Sequence, residues 1–112
     1  MVSTKPVEFR GNALDGLREF PIGARREAGY QICQLQMGRN PDDWKPMNTV
    51  GAGVCEIRVR ESDGIFRVIY VARLEDAIYI LHCFQKKSQK TSQEDLALAT
   101  KRYKELVEEQ IQ

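Results

Sequence analysis

The chain has 112 residues and a formal net charge of +1, from 17 basic and 16 acidic side chains. This length suits one hydrophobic core, so we expect a single domain over residues 1–112. The balanced charge excludes a uniformly basic nucleic-acid coat but not a local basic patch, because nearby charges set the field that a ligand meets. We find no signal peptide, lipidation motif or apolar run of membrane-spanning length, and we expect a cytoplasmic protein with no membrane partner.

The first third of the chain predicts a short edge strand and two helices. The strand covers residues 6–9, where the leading proline suits a sheet edge. Asn12 is a typical N-cap for a helix over residues 13–20. A second helix is predicted over residues 22–37, with Gly38 as its stop. We expect its large apolar residues to pack on the core, with Gly29 allowing a close approach: Ile22, Tyr30, Cys33 and Met37.

Residues 39–53 are rich in Pro, Gly, Asn and Asp, and we assign them little regular structure. Trp44 lies in this loop. Its indole suits stacking on a nucleobase, but a lid over the core or over a partner's groove is the commoner role and the interpretation that we favour.

The three cysteines, Cys33, Cys55 and Cys83, have neither a redox motif nor a metal-binding spacing. We expect them to be small core residues in a reducing compartment. No metal and no cofactor are predicted.

Three β-runs between Gly53 and Phe84, separated by turns at residues 62–64 and 74–76, predict an antiparallel meander. Pairing Arg60 with Arg67 and Arg58 with Ile69 divides the first two runs into two faces. One face is a core of Cys55, Ile57, Val59, Phe66, Val68 and Tyr70. The other carries Arg58, Arg60 and Arg67 beside Ile69 and Val71.

The third run extends this pattern. Pairing Tyr70 with Tyr79 sets His82 opposite Arg67 and sends Leu81 and Cys83 to the core. The only histidine of the chain is then expected among the arginines, shortly before a basic tract, Lys86, Lys87 and Lys90.

After this tract, Thr91 or Ser92 followed by Glu94 and Asp95 predicts the start of a last helix near residues 93–110. Its expected packing stripe is Leu96, Ala99, Tyr103, Leu106 and Val107.

Several segments resemble the RelE/ParE toxin superfamily, and specifically its phage-derived, HigB-like branch. Residues 81–91 are similar to the signature Leu-x-x-Phe-x-Lys-Lys-x-x-Lys-Thr of that branch, which precedes a helix that here contains Ala99 and Arg102. The β-runs 53–58 and 66–70 fit it, as do the upstream segments 24–38 and 43–47.

The resemblance implies an α+β fold in which two N-terminal helices pack on a small antiparallel β-sheet, followed by a C-terminal helix. It implies a toxin of a type II toxin–antitoxin system. The usual activity in the superfamily is cleavage of mRNA in the ribosomal A site, restrained by a helix-turn-helix antitoxin that also takes the complex to a DNA operator. Relatives with the same fold poison DNA gyrase without catalysis, and a phage-derived binding module without toxicity is a third alternative.

For the nuclease, the candidate catalytic residues are Arg58, Arg67, His82, Lys86 and Lys87, and the candidate RNA-binding residues are Arg60, Lys90 and Trp44. Arginines bind phosphate in a bidentate manner and stabilise the charge of the transition state. His82 and Lys86 are the candidates for proton transfer, while a histidine packed against a neighbouring helix is an equally weighted alternative for His82. The hypothesis requires the arginines to share one side of the sheet without being consumed in internal ion pairs.

Overall fold

The computed structural model describes residues 4–111. Its elements are β1 (Val7–Phe9), α1 (Ala13–Arg18), α2 (Ile22–Gln36), β2 (Trp44–Pro46), β3 (Val54–Glu61), β4 (Gly64–Val71), β5 (Ile78–Lys86) and α3 (Gln93–Ile111). This is an α+β fold with a C-terminal helix, as predicted. None of the helices in the described range is long and apolar enough to cross a membrane.

The five strands form one mixed sheet in the order β1-β5-β4-β3-β2. The prediction of an antiparallel sheet is correct for β2 to β5 and wrong for β1, which runs parallel to β5 with Val7 opposite Ile78. Parallel neighbours require a long connection, and the chain between β1 and β5 provides it. The edge position predicted for β1 is confirmed.

The segment predicted to be irregular contains the second edge strand, β2. Trp44 pairs with Ile57 and Lys45 pairs with Glu56. The preceding loop is held by the buried Gln31, whose amide donates to the carboxylate of Asp42 and accepts from the Asp42 backbone N–H, each over 2.9 Å. This clamp aligns the loop for pairing with β3, and local composition did not indicate it.

Two hydrophobic layers lie on opposite faces of the sheet. Under α1 and α2 are the predicted core residues Ile57, Val59, Phe66, Val68 and Tyr70, with Cys55 half-buried beside them. Under α3 and the loop after β2 lie Ile69, Val71, Tyr79 and Leu81 with Ala99 and Leu106. The predicted division of β3 and β4 into two faces is therefore confirmed.

The register differs from the prediction by two residues, which leaves the faces unchanged. Arg58 lies opposite Arg67, and Glu61 lies opposite Gly64 across a tight turn. Tyr70 pairs with Ile80 and not with Tyr79, a shift of one residue, and a β-bulge at Leu81 adds a second, so that His82 lies opposite Ile69 and not opposite Arg67. Because of this bulge Leu81 packs under α3 and not with Cys83, which corrects the shared face predicted for them.

The packing stripe predicted for α2 is wrong. Ile22, Tyr30 and Met37 are 57%, 55% and 40% exposed, and Cys33 is exposed too. The buried face of α2 is Ala24, Ala28, Gln31, Ile32 and Leu35. The small alanines let α2 approach the sheet closely. The predicted stripe was chosen from large apolar residues and therefore did not include them.

Candidate functional site

The sheet places Arg58 and Arg67 side by side. They are direct partners in neighbouring strands β3 and β4, so their side chains leave the same face. On this face α3 packs on β5 and leaves the ends of β3 and β4 uncovered. The result is an open groove of about 610 Å³, lined by Arg58, Arg60, Gly64, Ile65, Arg67, Lys86, Lys87, Ser88 and Gln89.

The charge of this lining, hereafter the cationic groove, has a single sign. Arg58, Arg60 and Arg67 come from the sheet, and Lys86 and Lys87 come from the end of β5 and the residue after it. No acidic side chain is among the lining residues. A concave surface of this kind concentrates anions, and guanidinium groups suit phosphate oxygens in particular.

Beneath the groove lies one buried carboxylate, Glu56, which is fully buried in β3. Its Oε1 is 3.0 Å from Nε of Arg67 and 4.0 Å from Nε of Arg58. Its Oε2 accepts a long hydrogen bond of 3.4 Å from the Thr91 hydroxyl. One carboxylate thus lies near two guanidinium groups, so these three side chains together carry a net positive charge.

Arg67 is only 4% exposed and is paired with the buried Glu56. The requirement that the arginines stay out of internal ion pairs is therefore not met for Arg67. Its Nε and Nη1, like Nε of Arg58, have no well-oriented hydrogen-bond partner within residues 4–111, and these atoms are shielded from solvent. Buried donors are normally satisfied, because an unsatisfied one costs about 1–3 kcal/mol. An anionic ligand in the groove reaches these N–H groups only if the arginine side chains move.

Burial lowers the pKa of the Arg67 guanidinium. The Glu56 carboxylate raises this pKa, and the neighbouring Arg58 cation lowers it. An arginine side chain nevertheless stays protonated at neutral pH. Arg67 is therefore a fixed cation in a partly desolvated place, where an electrostatic contact is stronger than in water.

Lys86 is a lysine of the groove with a lowered pKa. Burial lowers its pKa, the cations of Arg67, Lys45 and Arg58 lower it further, and Glu56 opposes them. A lysine with a lowered pKa holds a larger neutral fraction near pH 7, and only the neutral amine accepts a proton. Sequence reasoning named Lys86 as a proton-transfer candidate if its pKa is lowered, and the shift has this direction.

His82 lies apart from the groove. Its Nε2 is 2.6 Å from Oδ1 of Asp95 at the start of α3, and its ring stacks on Phe84 with 4.7 Å between centroids. Burial lowers the pKa of His82, while the Asp95 carboxylate raises it. The structure thus places His82 in the alternative arrangement, packed against a neighbouring helix.

The three predicted RNA-binding residues are distributed over different surfaces. Arg60 lines the cationic groove. Lys90 lies with Lys45 and Lys86 along an adjoining cleft beside the start of α3. Trp44 is 39% exposed on the edge strand β2, and it faces the α2 side because it lies opposite Ile57.

Sequence reasoning missed two residues of this region, Glu56 and Lys45. Glu56 lies two positions before Arg58 and therefore on the same face, so alternation alone was able to find it. Lys45 belongs to β2, and its place beside Lys86 depends on a strand that the composition of the loop concealed.

The family model described as "Phage derived protein Gp49-like (DUF891)" matches residues 15–104. The chain belongs to this family. It is a family of RelE/HigB-like toxins, which confirms the predicted superfamily and branch. No curated protein matches this Gp49-like chain significantly.

One solved structure that resembles this Gp49-like protein is an E. coli RelE toxin, a double arginine-to-alanine mutant in the free state. The two superpose with a TM-score of 0.65 at 17% sequence identity, over 88% of this chain and 97% of that chain. At this identity the likeness shows a shared fold. Membership of a toxin–antitoxin family implies an antitoxin partner in general.

Proposed function

We propose that this Gp49-like toxin is a ribosome-dependent endoribonuclease that inhibits translation by cutting mRNA in the cationic groove. The observation that carries the proposal is Arg67. A guanidinium that is almost fully buried, with two N–H groups lacking oriented partners, lines a groove of only basic and neutral side chains. The proposal requires this guanidinium to turn from Glu56 towards the groove, where an arginine holds a phosphate more tightly than exposed lysines alone.

The chemistry proposed is attack of a 2′-hydroxyl on the adjacent phosphorus. The hydroxyl loses its proton to a base, the new O2′–P bond forms, and the P–O5′ bond breaks as the leaving oxygen gains a proton. The products are a 2′,3′-cyclic phosphate and a 5′-hydroxyl. Arg58 and Arg67 stabilise the extra negative charge on the pentavalent phosphorus.

Lys86 is the residue we propose for accepting the proton. Its pKa is lowered by burial and by neighbouring cations, and it lies at the wall of the same groove as both arginines. Lys87 is the next residue and is exposed, and as an ammonium group it is suited to protonating the leaving oxygen. His82 has no part in this scheme, because Asp95 engages its ring nitrogen away from the groove.

The ion pair of Arg67 with Glu56 reduces the positive charge that the groove offers to a phosphate. The carboxylate neutralises one charge, but two arginines share it, and three further cations line the groove. We therefore assign Glu56 the role of holding the guanidinium groups at the floor while the groove as a whole keeps an excess of positive charge.

The partners proposed are mRNA on the ribosome and a helix-turn-helix antitoxin. Arg60 and Lys90 are exposed on the path leading away from Arg67 and are suited to neighbouring phosphates. We propose that an acidic or amphipathic segment of the antitoxin covers the groove, and that the complex binds its own DNA operator through the antitoxin.

The test is expression of the chain without its antitoxin, followed by primer extension on cellular mRNA. The nuclease proposal expects growth arrest and new 5′ ends at codon boundaries, both lost in Arg67→Lys. SOS induction and DNA breaks with intact mRNA would point to gyrase poisoning instead. Harmless expression of a folded chain would favour a binding module.

A further inference from the structure

A second cleft lies at the open side of β5, away from the face of the cationic groove. The pairing of β1 with β5 covers only Ile78 to Ile80, so among residues 4–111 β5 has no strand neighbour on that side from there to Lys86. The first helix flanks this edge closely: a Cβ on Gly16 would lie 2.4 Å from the Cys83 carbonyl oxygen. Between α1 and the start of α3 the edge opens into a cleft of about 480 Å³. Small-molecule sites have volumes of about 300–1,000 Å³, so a nucleotide fits.

The floor of this edge cleft is aromatic. Phe20, Phe66 and Phe84 line it. Phe20 and Phe66 contact each other in a tilted arrangement with 4.8 Å between ring centroids, and Phe84 stacks with His82. Phe20 and Phe66 belong to the core layer under α1 and α2, and Phe84 belongs to the layer under α3. The rings are at most 9% exposed, so they give the sheet edge an apolar lining and not an open stacking platform.

The walls and the mouth carry opposite charges. Glu19, directly after α1, and Glu94 of α3 are exposed carboxylates on opposite walls. Asp95 lies nearby, but it is already engaged by His82 and by the Ser92 hydroxyl. Lys86, Lys87 and Lys90 supply the positive charge.

The edge cleft and the cationic groove share one boundary. Lys86, Lys87 and Ser88 line both of them. The two clefts are therefore neighbours, and an RNA strand that passes through the cationic groove meets the edge cleft across these shared residues.

We propose that the edge cleft binds one nucleobase of the RNA substrate and selects bases that carry an exocyclic amino group. This inference rests on the proposed function and adds the specificity-determining residues Glu19 and Glu94. Carboxylates accept hydrogen bonds, and adenine, cytosine and guanine present amino donors to them. Uracil offers only its ring N3–H as a donor, and the two carbonyl oxygens that flank this N–H are repelled by a carboxylate.

The charge arrangement favours a nucleotide over a peptide. An acidic peptide is repelled by the carboxylates of the walls, and a basic peptide is repelled by the lysines. A nucleotide presents phosphate to the lysines and amino hydrogens to the carboxylates, so both sets of charges are satisfied together.

The first experiment measures binding without catalysis. Amide NMR shifts of Gly16 and Ser92 are followed while AMP, CMP, GMP or UMP is added to the full chain. We expect the three amino-bearing nucleotides to bind about tenfold more tightly than UMP, a factor within the range of one good base contact. Glu94→Gln and Glu19→Gln should reduce this preference, because an amide also donates to uracil carbonyls. Glu108→Gln, an exposed change on α3 outside the cleft, should leave it unchanged.

The second experiment maps cleavage of a reporter mRNA, on ribosomes, with the positions around the cut randomised. We expect depletion of uracil at one position next to the cut, and partial loss of that depletion in Glu94→Gln. Cleavage with an identical sequence profile in both glutamine variants would overturn the base site and leave the nuclease intact. Selective binding at Gly16 without any cleavage would overturn the nuclease and leave the base site intact.

Two further outcomes also overturn the base site. One is equal affinity for UMP and AMP at Gly16. The other is an unchanged nucleotide preference in the glutamine variants together with loss of antitoxin binding, which would show that Glu19 and Glu94 dock a protein and do not select a base.

Discussion

The guanidinium of Arg67 lies against the fully buried carboxylate of Glu56, with 3.0 Å between Nε and Oε1. Arg58 approaches the same oxygen to 4.0 Å. One buried anion therefore fixes two cations from adjacent strands at the floor of an open groove. The stability of the fold and the proposed function thus depend on the same side chains, and experiments can separate the two.

We predict that Glu56→Gln destabilises the fold by about 3 kcal/mol, because it leaves two neighbouring guanidinium groups without their carboxylate. This loss of about 3 kcal/mol is at the lower end of the cost of breaking a buried ion pair, because the groove gives the arginines some access to water. Urea unfolding measures it. Glu75→Gln, in an exposed turn, is the matched control and should change stability by less than about 0.5 kcal/mol. Equal stability of both variants would show that the pair is not a structural contact.

We predict that Arg67→Lys lowers the cleavage rate about 100-fold while the protein stays folded. Lysine keeps a charge near Glu56 but lacks the planar fork that holds two phosphate oxygens. Single-turnover cleavage of ribosome-bound mRNA measures the rate constant. Arg73→Lys, at an exposed position outside the groove, should leave the rate within about twofold. If both variants cut equally well, Arg67 is not at the reacting phosphate.

We predict that cleavage rises with pH as Lys86 loses its proton, and that Lys45→Gln moves this rise to higher pH. Burial and then the cations Arg67, Lys45 and Arg58 lower the pKa of Lys86, so removing one cation raises it. A pH–rate profile tests the shift. Lys104→Gln, a loss of the same charge on an exposed part of α3, should not move the profile. Lys86→Arg should abolish the rise, and a rise that persists in this variant would exclude Lys86 as the base.

We predict that the free energy of unfolding decreases as the pH falls from about 7.5 to about 5, through titration of His82. Burial holds the folded pKa of His82 below its ordinary value of 6.5, with Arg102 acting in the same direction and Asp95 against it. The unfolded chain then binds the proton more readily, so the stability present above pH 6.5 is lost as His82 becomes protonated. His82→Gln should flatten this dependence. An unchanged slope in that variant would show that carboxylates alone account for it.

Alternation along the strands was sufficient to predict which face carries the arginines. Arg58 and Arg67 share a face at any register shifted by an even number of residues, so a two-residue error left them together. The place of His82 was less secure, because one bulge residue at Leu81 moves it relative to Arg67 and no local signal marks a bulge.

Other features depended on contacts distant in sequence. The side chains that pack α2 on the sheet include the small Ala24 and Ala28, whereas larger apolar residues such as Tyr30 face outward. β2 forms only because β3 offers it an edge, and Gln31 fixes the loop before it. The ion-pairing role of the Glu56 carboxylate depends on Arg67 of the neighbouring strand, whose Nε lies 3.0 Å away.

The most direct test of the central claim uses a reporter mRNA with one 2′-deoxynucleotide immediately 5′ to the mapped cut. Purified toxin should cut the all-ribose message on programmed ribosomes and leave a 2′,3′-cyclic phosphate. The single deoxy substitution should abolish that cut, since the nucleophile is missing, and other sites should be unaffected. Cutting that continues at the deoxy position, or a message that stays intact while DNA breaks accumulate, would contradict a nuclease built on this groove.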